Sequence, residues 1–365
     1  MKKLFALCLA LAMTLSLAAC GGDNGDSPKG NSDVETTGNA SVESGGSAAG
    51  KSYKVGIVKY MDHASLNQIE SNLQKQLDAK GQELGVTFDY EDYTFNGQGD
   101  GTTLNQIVTQ LLDSDVDVIV PIATPAAQTV QAATEDSDLP VVFSAVSDPV
   151  TAGLVDSMEE PGTHITGTSD ALNTATIMDL MLAADEDLDY VGLLYSKSED
   201  SSTQPIKEAK EYLEAKGIQY IEKTGTTIDE ISSAADVLVA EGVDAVFTPT
   251  DNTVMKAELA IYEKFAEAKI PHYCGADSFA VNGAFCGYGV DYANLGTATA
   301  DMVAEILVNG ADPASMPVET FDNGIATINT ETCEALGLDL EAIKTAYEPL
   351  CTQLVETVTS EEIQG

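Results

Sequence analysis

Residues 116–128 read Val116-Asp117-Val118-Ile119-Val120-Pro121-Ile122-Ala123-Thr124-Pro125-Ala126-Ala127-Gln128. A β-branched apolar run, Val116–Ala123, is followed at once by Thr-Pro-Ala, where threonine suits a helix cap and proline the first helical turn. The stretch therefore reads as a strand that ends in a helix start. Its apolar residues run on rather than alternate, as in strands covered on both faces. The same unit recurs outward in both directions. Further strand candidates are Lys54–Tyr60, Val86–Tyr93, Pro140–Val146, Tyr190–Ser196, Gln219–Lys223, Ala245–Thr250, Pro271–Gly275 and Ala284–Val290. Between them, apolar stripes recur at helical spacing: Leu66, Ile69, Leu73 and Leu77; Ile206, Ala209 and Leu213; Ala257, Ile261 and Phe265; Met302, Val303, Ile306 and Leu307. Four strand candidates precede a break at Asp148–Thr168, rich in proline and glycine, and five follow it. The pattern predicts an α/β protein with two doubly wound parallel-sheet lobes. A single closed eight-stranded barrel is the alternative, and the break and the strand count argue against it.

Composition narrows the function. The 365 residues carry 59 Asp+Glu against 17 basic residues, all of them lysine, for a formal net charge of -42. Such a polyanion repels phosphates and anionic headgroups, so nucleic-acid partners and electrostatic membrane docking are excluded. Without arginine there is no bidentate clamp, and a bound anion must rely on backbone N–H groups, hydroxyls or lysine.

Lys2 and Lys3 precede the apolar run Leu4–Ala19, too short for a spanning helix, which ends in Leu17-Ala18-Ala19-Cys20. We read 1–19 as a signal peptide with a lipobox and Cys20 as the lipidated first residue. Residues 20–52 have almost no large apolar side chains and are expected to form a flexible tether. The chain is thus expected on the extracytoplasmic face of a bacterial cell membrane. Cys274, Cys286, Cys333 and Cys351 remain. Three pairings are possible, and the sequence-local one, Cys274–Cys286 with Cys333–Cys351, is favoured over a zinc site; four free thiols are the alternative.

Open parallel sheets bind ligands beyond the C-terminal ends of their strands, so the turns there carry the candidate site. They are polar: Met61-Asp62-His63-Ala64-Ser65, Thr124-Pro125-Ala126, Ser144 through Ser147-Asp148-Pro149, Ser196-Lys197-Ser198-Glu199-Asp200-Ser201-Ser202, Thr250-Asp251-Asn252-Thr253 and Ala276-Asp277-Ser278. Any one of these residues can be a plain helix cap. Free N–H groups at Ala126 and Ala127 suit a ligand carboxylate, and Ser65 and Ser202 stand at similar helix starts. Asp251, beside Asn252, suits an ammonium group or a cap; Glu199 and Asp148 are weaker versions of the same case. His63 has no nucleophile beside it, and no phosphate loop, metal box or glycosidase carboxylate pair is present, so no enzyme, cofactor or metal is expected.

Together these turns resemble the ABC-transporter substrate-binding lipoproteins of the tryptophan/tyrosine type, in the type I periplasmic-binding-protein superfamily. The stretches that carry the resemblance include His63-Ala64-Ser65-Leu66-Asn67, Ala123-Thr124-Pro125-Ala126-Ala127-Gln128, Ser144-Ala145-Val146-Ser147-Asp148-Pro149, Thr166-Gly167-Thr168-Ser169-Asp170, Tyr195 with Ser198-Glu199, Pro249-Thr250-Asp251-Asn252-Thr253 and Gly289-Val290-Asp291-Tyr292. The family commonly has His-Pro-Ala-Leu-Asp at the first turn, and here Ala64 and Asn67 replace its proline and aspartate.

The resemblance implies a first lobe of residues 53–168 plus 292–320 and a second of 169–291 plus 321–365, hinged by crossovers near Ser169, Asp291 and Thr320. It implies a monomeric receptor that closes on an amino acid-like solute, most plausibly aromatic, and delivers it to an ABC permease and its ATPase. A sugar or nucleoside receptor and a surface hydrolase are the alternatives. The expected ligand-binding residues are Tyr60, His63, Ser65, Thr124, Ala126, Ser147, Asp148, Tyr195, Ser198, Glu199, Ser202, Asp251, Asn252 and Asp277. Without tryptophan, stacking falls to Tyr60, Phe95, Phe143, Tyr195, Tyr273 or Tyr292.

Overall fold

A computed structural model describes residues 50–321 and 323–360. The signal segment, Cys20 and nearly all of the 20–52 tether lie outside the described residues. The chain runs β1 (Ser52–Lys59), α1 (Ala64–Leu84), β2 (Thr87–Asp89), β3 (Thr94–Asn96), α2 (Gly101–Asp113), β4 (Val118–Ile122), α3 (Thr124–Thr134), β5 (Val141–Ser144) and β6 (Ile165–Ser169). Then follow α4 (Thr174–Ala184), β7 (Tyr190–Tyr195), α5 (Thr203–Lys216), β8 (Gln219–Thr224), α6 (Ile228–Glu241), β9 (Ala245–Thr248), α7 (Asn252–Ala268), β10 (His272–Cys274), α8 (Asp277–Val281) and β11 (Cys286–Gly289). The last elements are α9 (Tyr292–Asn309), β12 (Glu319–Thr320), β13 (Ile325–Asn329), α10 (Thr330–Leu336), α11 (Leu340–Tyr347) and β14 (Gln353–Thr357).

Two sheets result, in the strand orders β12-β6-β5-β4-β1-β2, with β3 also on β1, and β14-β13-β11-β10-β9-β7-β8. The chain crosses between them after β6, after β11 and after β12. The α/β class with two doubly wound lobes is the fold observed. One pair departs from parallel: β13 runs antiparallel to β11, with Ile325 opposite Gly289. The chain leaves β11 and re-enters β13 at the same, cleft-side end, so the returning strand must run the other way.

The apolar runs become central strands because both faces are covered. Val55 and Ile57 of β1 pack with Ile69, Leu73 and Leu77 of α1 and Val303 of α9. Val58, one register on, joins Leu104, Leu111 and Val130 of α2 and α3 on the opposite face. In the second lobe, Val246 meets α6 and α7 while Phe247 meets the α4 and α5 side. Each such fully buried aliphatic side chain contributes about 1.5–3 kcal/mol. Helix α1 stops at Gly85, whose φ of 69 returns the chain through the left-handed region open to glycine.

Several elements differ from the expectation. Of the expected strand Val86–Tyr93 only Thr87–Asp89 is strand; a 3-10 turn over the charged Glu91–Tyr93 ends it and β3 begins beyond it, while β12, β13 and β14 are not among the expected strands. Strand β6 lies inside the predicted break, because its Thr166-Gly167-Thr168 has no apolar signature. Its buried hydroxyls are satisfied instead: Thr168, Ser144 and Thr299 form a closed triangle at 3.0–3.2 Å, tying β6, β5 and α9.

The favoured cysteine pairing is corrected: all four thiols are free. In the parallel β10–β11 pair, Cys274 stands opposite Gly287 and Cys286 opposite Tyr273. The two cysteines are one residue out of register and so project to opposite faces of the sheet, Cys274 into one core and Cys286 into the other. Dithiothreitol is therefore expected to leave the melting temperature of the mature protein unchanged by calorimetry; a lowered midpoint would reveal a structural disulfide.

Candidate functional site

Between the lobes, at the ends of β1, β4, β5, β6, β9 and β10, lies a pocket whose void space, part of it open to solvent, is about 370 Å³. The first lobe lines it with His63, Ser65, Leu66, Ala123, Thr124, Ala145, Ser147 and Tyr292; the second with Ser201, Thr250, Asp251, Asn252, Met255, Ala276, Ser278 and Phe279; Asp170 stands at the first crossover. Two wall residues are strained. Ala123 and Ala145, directly after β4 and β5, have φ of 79 and 56 although neither is glycine, a backbone cost that clusters at functional sites. Turning the chain there aims the start of α3 at the cavity, with Thr124 buried at its first position.

The lobes touch through hydrogen bonds across the cleft. Ser65 donates to Ser278 at 2.7 Å, Ser147 and Thr250 share a bond of 2.9 Å, and His63 Nε2 lies 3.1 Å from Asn252 Oδ1. Farther out, Gln128 donates to Asp200 at 2.7 Å. These contacts describe a closed arrangement.

The electrostatics are one-sided. Asp170, Asp251 and Glu199 are buried and Asp277 is half-buried, and desolvation raises each carboxyl above its usual range, Glu199 to about 8 and Asp277 to about 6. His63 is pushed down to about 4, chiefly by burial, with the Lys59 ammonium adding to the effect. Among the described residues no lysine lines the cavity; buried Lys59 is held by Asp62 at 3.0 Å, Glu70 at 2.9 Å and Asn67 at 2.7 Å. A site of acids, hydroxyls and one neutral imidazole favours a cationic group.

The two carboxylates on the wall are not equivalent. Asp251 is already satisfied: Oδ2 accepts from Ser196 N and Ser202 Oγ, both at 2.7 Å, and Oδ1 from Val254 N at 2.9 Å, which makes it the cap of α7. Asp170 has only two longer side-chain bonds, from Ser147 at 2.9 Å and Tyr292 at 3.3 Å, and retains acceptor capacity.

Of the sequence-predicted residues, His63, Ser65, Thr124, Ser147, Asp251 and Asn252 meet at the cavity. Three others stand one layer behind it: Ser202 on Asp251, Glu199 on Asn252, and Asp277 accepting from Ser65 at 3.4 Å. Ala126 is buried in the first lobe's core, with its N–H at the first turn of α3. Tyr60 and Ser198 line a separate opening between the lobes. Asp148 is occupied by the Thr151 N–H at 2.9 Å. Tyr195 points into the other face of its sheet and donates to Glu222 at 2.6 Å. Among the proposed stacking residues Tyr292 is on the wall, whereas Phe143 and Tyr273 are core.

Sequence reasoning missed Asp170, Ser201, Thr250, Met255, Ser278 and Phe279 as lining residues. Ser201, Thr250 and Ser278 sit in the very turns singled out, but which residue of a turn faces inward depends on the partner lobe. Asp170 follows the unrecognised strand β6.

Among the described residues one buried group has metal-ligand chemistry: ligand atoms of Glu258, His272 and Cys274 lie within 4.8 Å of one another. Both ring nitrogens of His272 are already engaged, Nδ1 by Glu258 at 3.1 Å and Nε2 by Thr248 at 2.8 Å, and all three side chains are sealed in the core. The group reads as a buried polar network behind Phe279.

Comparison with known proteins agrees with this geometry. The family model for ABC transporter substrate binding protein matches residues 54–346. A curated tyrosine-binding protein of Clostridioides difficile (strain R20291) is 29% identical over 339 residues, covering 92% of this chain and 93% of its own. The crystal structure of an ABC domain from Streptococcus pneumoniae in complex with L-Trp is 31% identical with a TM-score of 0.75, covering 83% of this chain and all of its own. A ligand-free, open substrate binding protein with adhesive properties from Clostridium difficile, 30% identical and covering 84% of this chain and 100% of its own, scores 0.63. At nearly equal identity, 31% and 30%, the shape is nearer the ligand-bound relative, in keeping with the bonds across the cleft. These are solute-binding proteins and not enzymes, and this chain belongs to the ABC transporter substrate binding protein family.

Proposed function

We propose that this protein is an extracytoplasmic receptor, anchored by a lipid on Cys20, that captures an aromatic amino acid between its lobes and delivers it to an ABC permease. The observation that carries the reading is the cavity's division of labour. Asp170 supplies free acceptor capacity for an ammonium group. The Thr124 hydroxyl and the first N–H groups of α3, at Thr124 and Ala126, supply donors for a carboxylate without arginine. Leu66, Met255, Phe279 and Tyr292 supply an apolar and aromatic wall for a ring. Relatives that bind tyrosine or hold L-Trp support the same class of ligand. The sequence Leu17-Ala18-Ala19-Cys20 supports the anchor.

The test is calorimetry of the soluble, mature protein with L-tryptophan, L-tyrosine and ribose, after native mass spectrometry of the fresh preparation. A saturable, stoichiometric heat with at least one aromatic amino acid and none with ribose is expected. Binding of ribose with no response to either amino acid would replace the proposal by a sugar receptor.

A further inference from the structure

His63 stands immediately before α1, where a side-chain acceptor ordinarily bonds to the first N–H groups of the helix, yet it makes no such bond. Its Nε2 lies 3.1 Å from Asn252 Oδ1, across the cleft. The amide of Asn252 is fixed in turn: its Nδ2 donates to Glu199 Oε2 at 2.9 Å, so its oxygen is the atom turned to His63. An amide oxygen only accepts, so Nε2 carries the proton of the neutral ring and Nδ1 is a bare acceptor. Nδ1 is buried and has no hydrogen-bond partner among the described residues. Burial is the main reason the ring's value is pushed down to about 4, and the lone pair therefore persists at neutral pH.

A buried acceptor left unpaired costs free energy, which a ligand donor recovers. His63 lines the cavity, so a bound solute lies against it. A carboxylate has no proton to give to a lone pair. An ammonium group is drawn more strongly to the Asp170 carboxylate, with its spare acceptor capacity, than to a neutral ring. The donor that remains belongs to the solute's side chain. Placement agrees with this. Leu66 is one turn on from His63 along α1, and Met255 one turn on from Asn252 along α7, so the apolar wall continues the same two helix faces. The Met255 sulfur accepts from Ser278 at 3.1 Å, beside Phe279. Asp170, in contrast, is held by Ser147 and Tyr292 of the first lobe at the crossover. A ring resting on Leu66, Met255 and Phe279 has His63 at its edge.

We propose that His63 Nδ1 accepts a hydrogen bond from a polar hydrogen on the ligand's aromatic ring, an indole N–H or a phenol O–H, and that this bond selects such amino acids over phenylalanine. The proposal rests on the reading of the ligand as an aromatic amino acid and adds what its ring must carry. A site built around an acceptor rejects the analogue that lacks the donor, because the acceptor is then shut away unpaired. Asn252 and Glu199 act through His63 as positioning residues, since their bonds fix which ring nitrogen bears the proton.

The test is calorimetry of the full mature chain with matched ligand pairs: L-tryptophan against L-3-benzothienylalanine, in which sulfur replaces the indole N–H, and L-tyrosine against L-phenylalanine. In the pair whose natural member binds, the ligand without the donor is expected to have a Kd at least about tenfold higher. In His63→Phe both members weaken, because the bond to Asn252 is lost with the ring nitrogens, and their ratio falls to near one. A wild-type ratio near one, or the same large ratio in His63→Phe, overturns the proposal and leaves the aromatic class standing. A wild type that binds neither tryptophan nor tyrosine overturns the ligand class, and this inference with it. Nitrogen resonances of the ligand-bound chain labelled with 15N-histidine give a readout that needs no folded variant. His63 Nδ1 is expected there as an unprotonated, hydrogen-bonded nitrogen, and a proton found on it overturns the proposal.

Discussion

Asp170→Asn lowers the affinity for L-tryptophan or L-tyrosine by about 2–4 kcal/mol, roughly thirty- to a thousand-fold, if the ammonium sits where we place it. The substitution preserves shape and one acceptor oxygen but removes the charge, so a buried ligand cation faces neutral dipoles. Ser147 and Tyr292 hold the carboxylate from either side, at 2.9 and 3.3 Å, so its position does not depend on the ligand. Thr124→Val removes a single hydroxyl and leaves the backbone donors of α3, and costs about 1 kcal/mol. Asp251→Asn behaves differently, because its oxygens are committed to Ser196, Ser202 and Val254. Its loss is expected chiefly in melting temperature. Calorimetry across the three variants, with circular dichroism for the fold, checks the ranking. An Asp170→Asn protein that binds like wild type would move the ammonium elsewhere, with Asp251 the remaining carboxylate on the wall.

Gly296→Val destabilises the protein by about 3 kcal/mol, seen as a clear drop in the denaturant midpoint at unchanged slope. A Cβ at this position would lie 2.3 Å from Ile69 O and 3.0 Å from Leu73 N, both backbone atoms of α1. No rotamer change relieves a clash with backbone, so α1 and α9 must move apart. That shift reaches the cleft, because α1 begins beside His63 and Ser65, and Thr299 of α9 closes the hydroxyl triangle with β5 and β6. Gly101→Val is the control: a Cβ there meets nothing within 4 Å, and a change of about 0.5 kcal/mol or less is expected. Equal effects at the two positions would mean that the helix contact is not as close as the structure has it.

Much of this molecule was legible locally. Apolar runs such as Val118–Ile122 and stripes such as Leu66, Ile69, Leu73 and Leu77 report their own burial, since a strand covered twice and a helix covered once have different periods. Polar turns at strand ends pointed to the level at which the cavity lies. What stayed hidden has a common cause. Strand β6 is held by hydroxyls that bond across three elements, and a Thr-Gly-Thr sequence carries no apolar period to reveal it.

The sequence by itself determined the α/β alternation, the absence of arginine and hence the way an anion must be held, and the polar turns from which a site is assembled. These are properties of short stretches and of composition, and no partner element is needed to define them. Tertiary structure alone decided which member of each turn faces the cavity, that Asp251 is consumed as a cap while Asp170 retains free acceptor capacity, and that Cys274 and Cys286 project to opposite faces of one sheet. Each of those outcomes depends on register and on the approach of a second lobe, which bring together groups as distant in sequence as His63 and Asn252. A hydrogen-bond acceptor is free or spent only in relation to the donors around it, and those donors are placed by the fold.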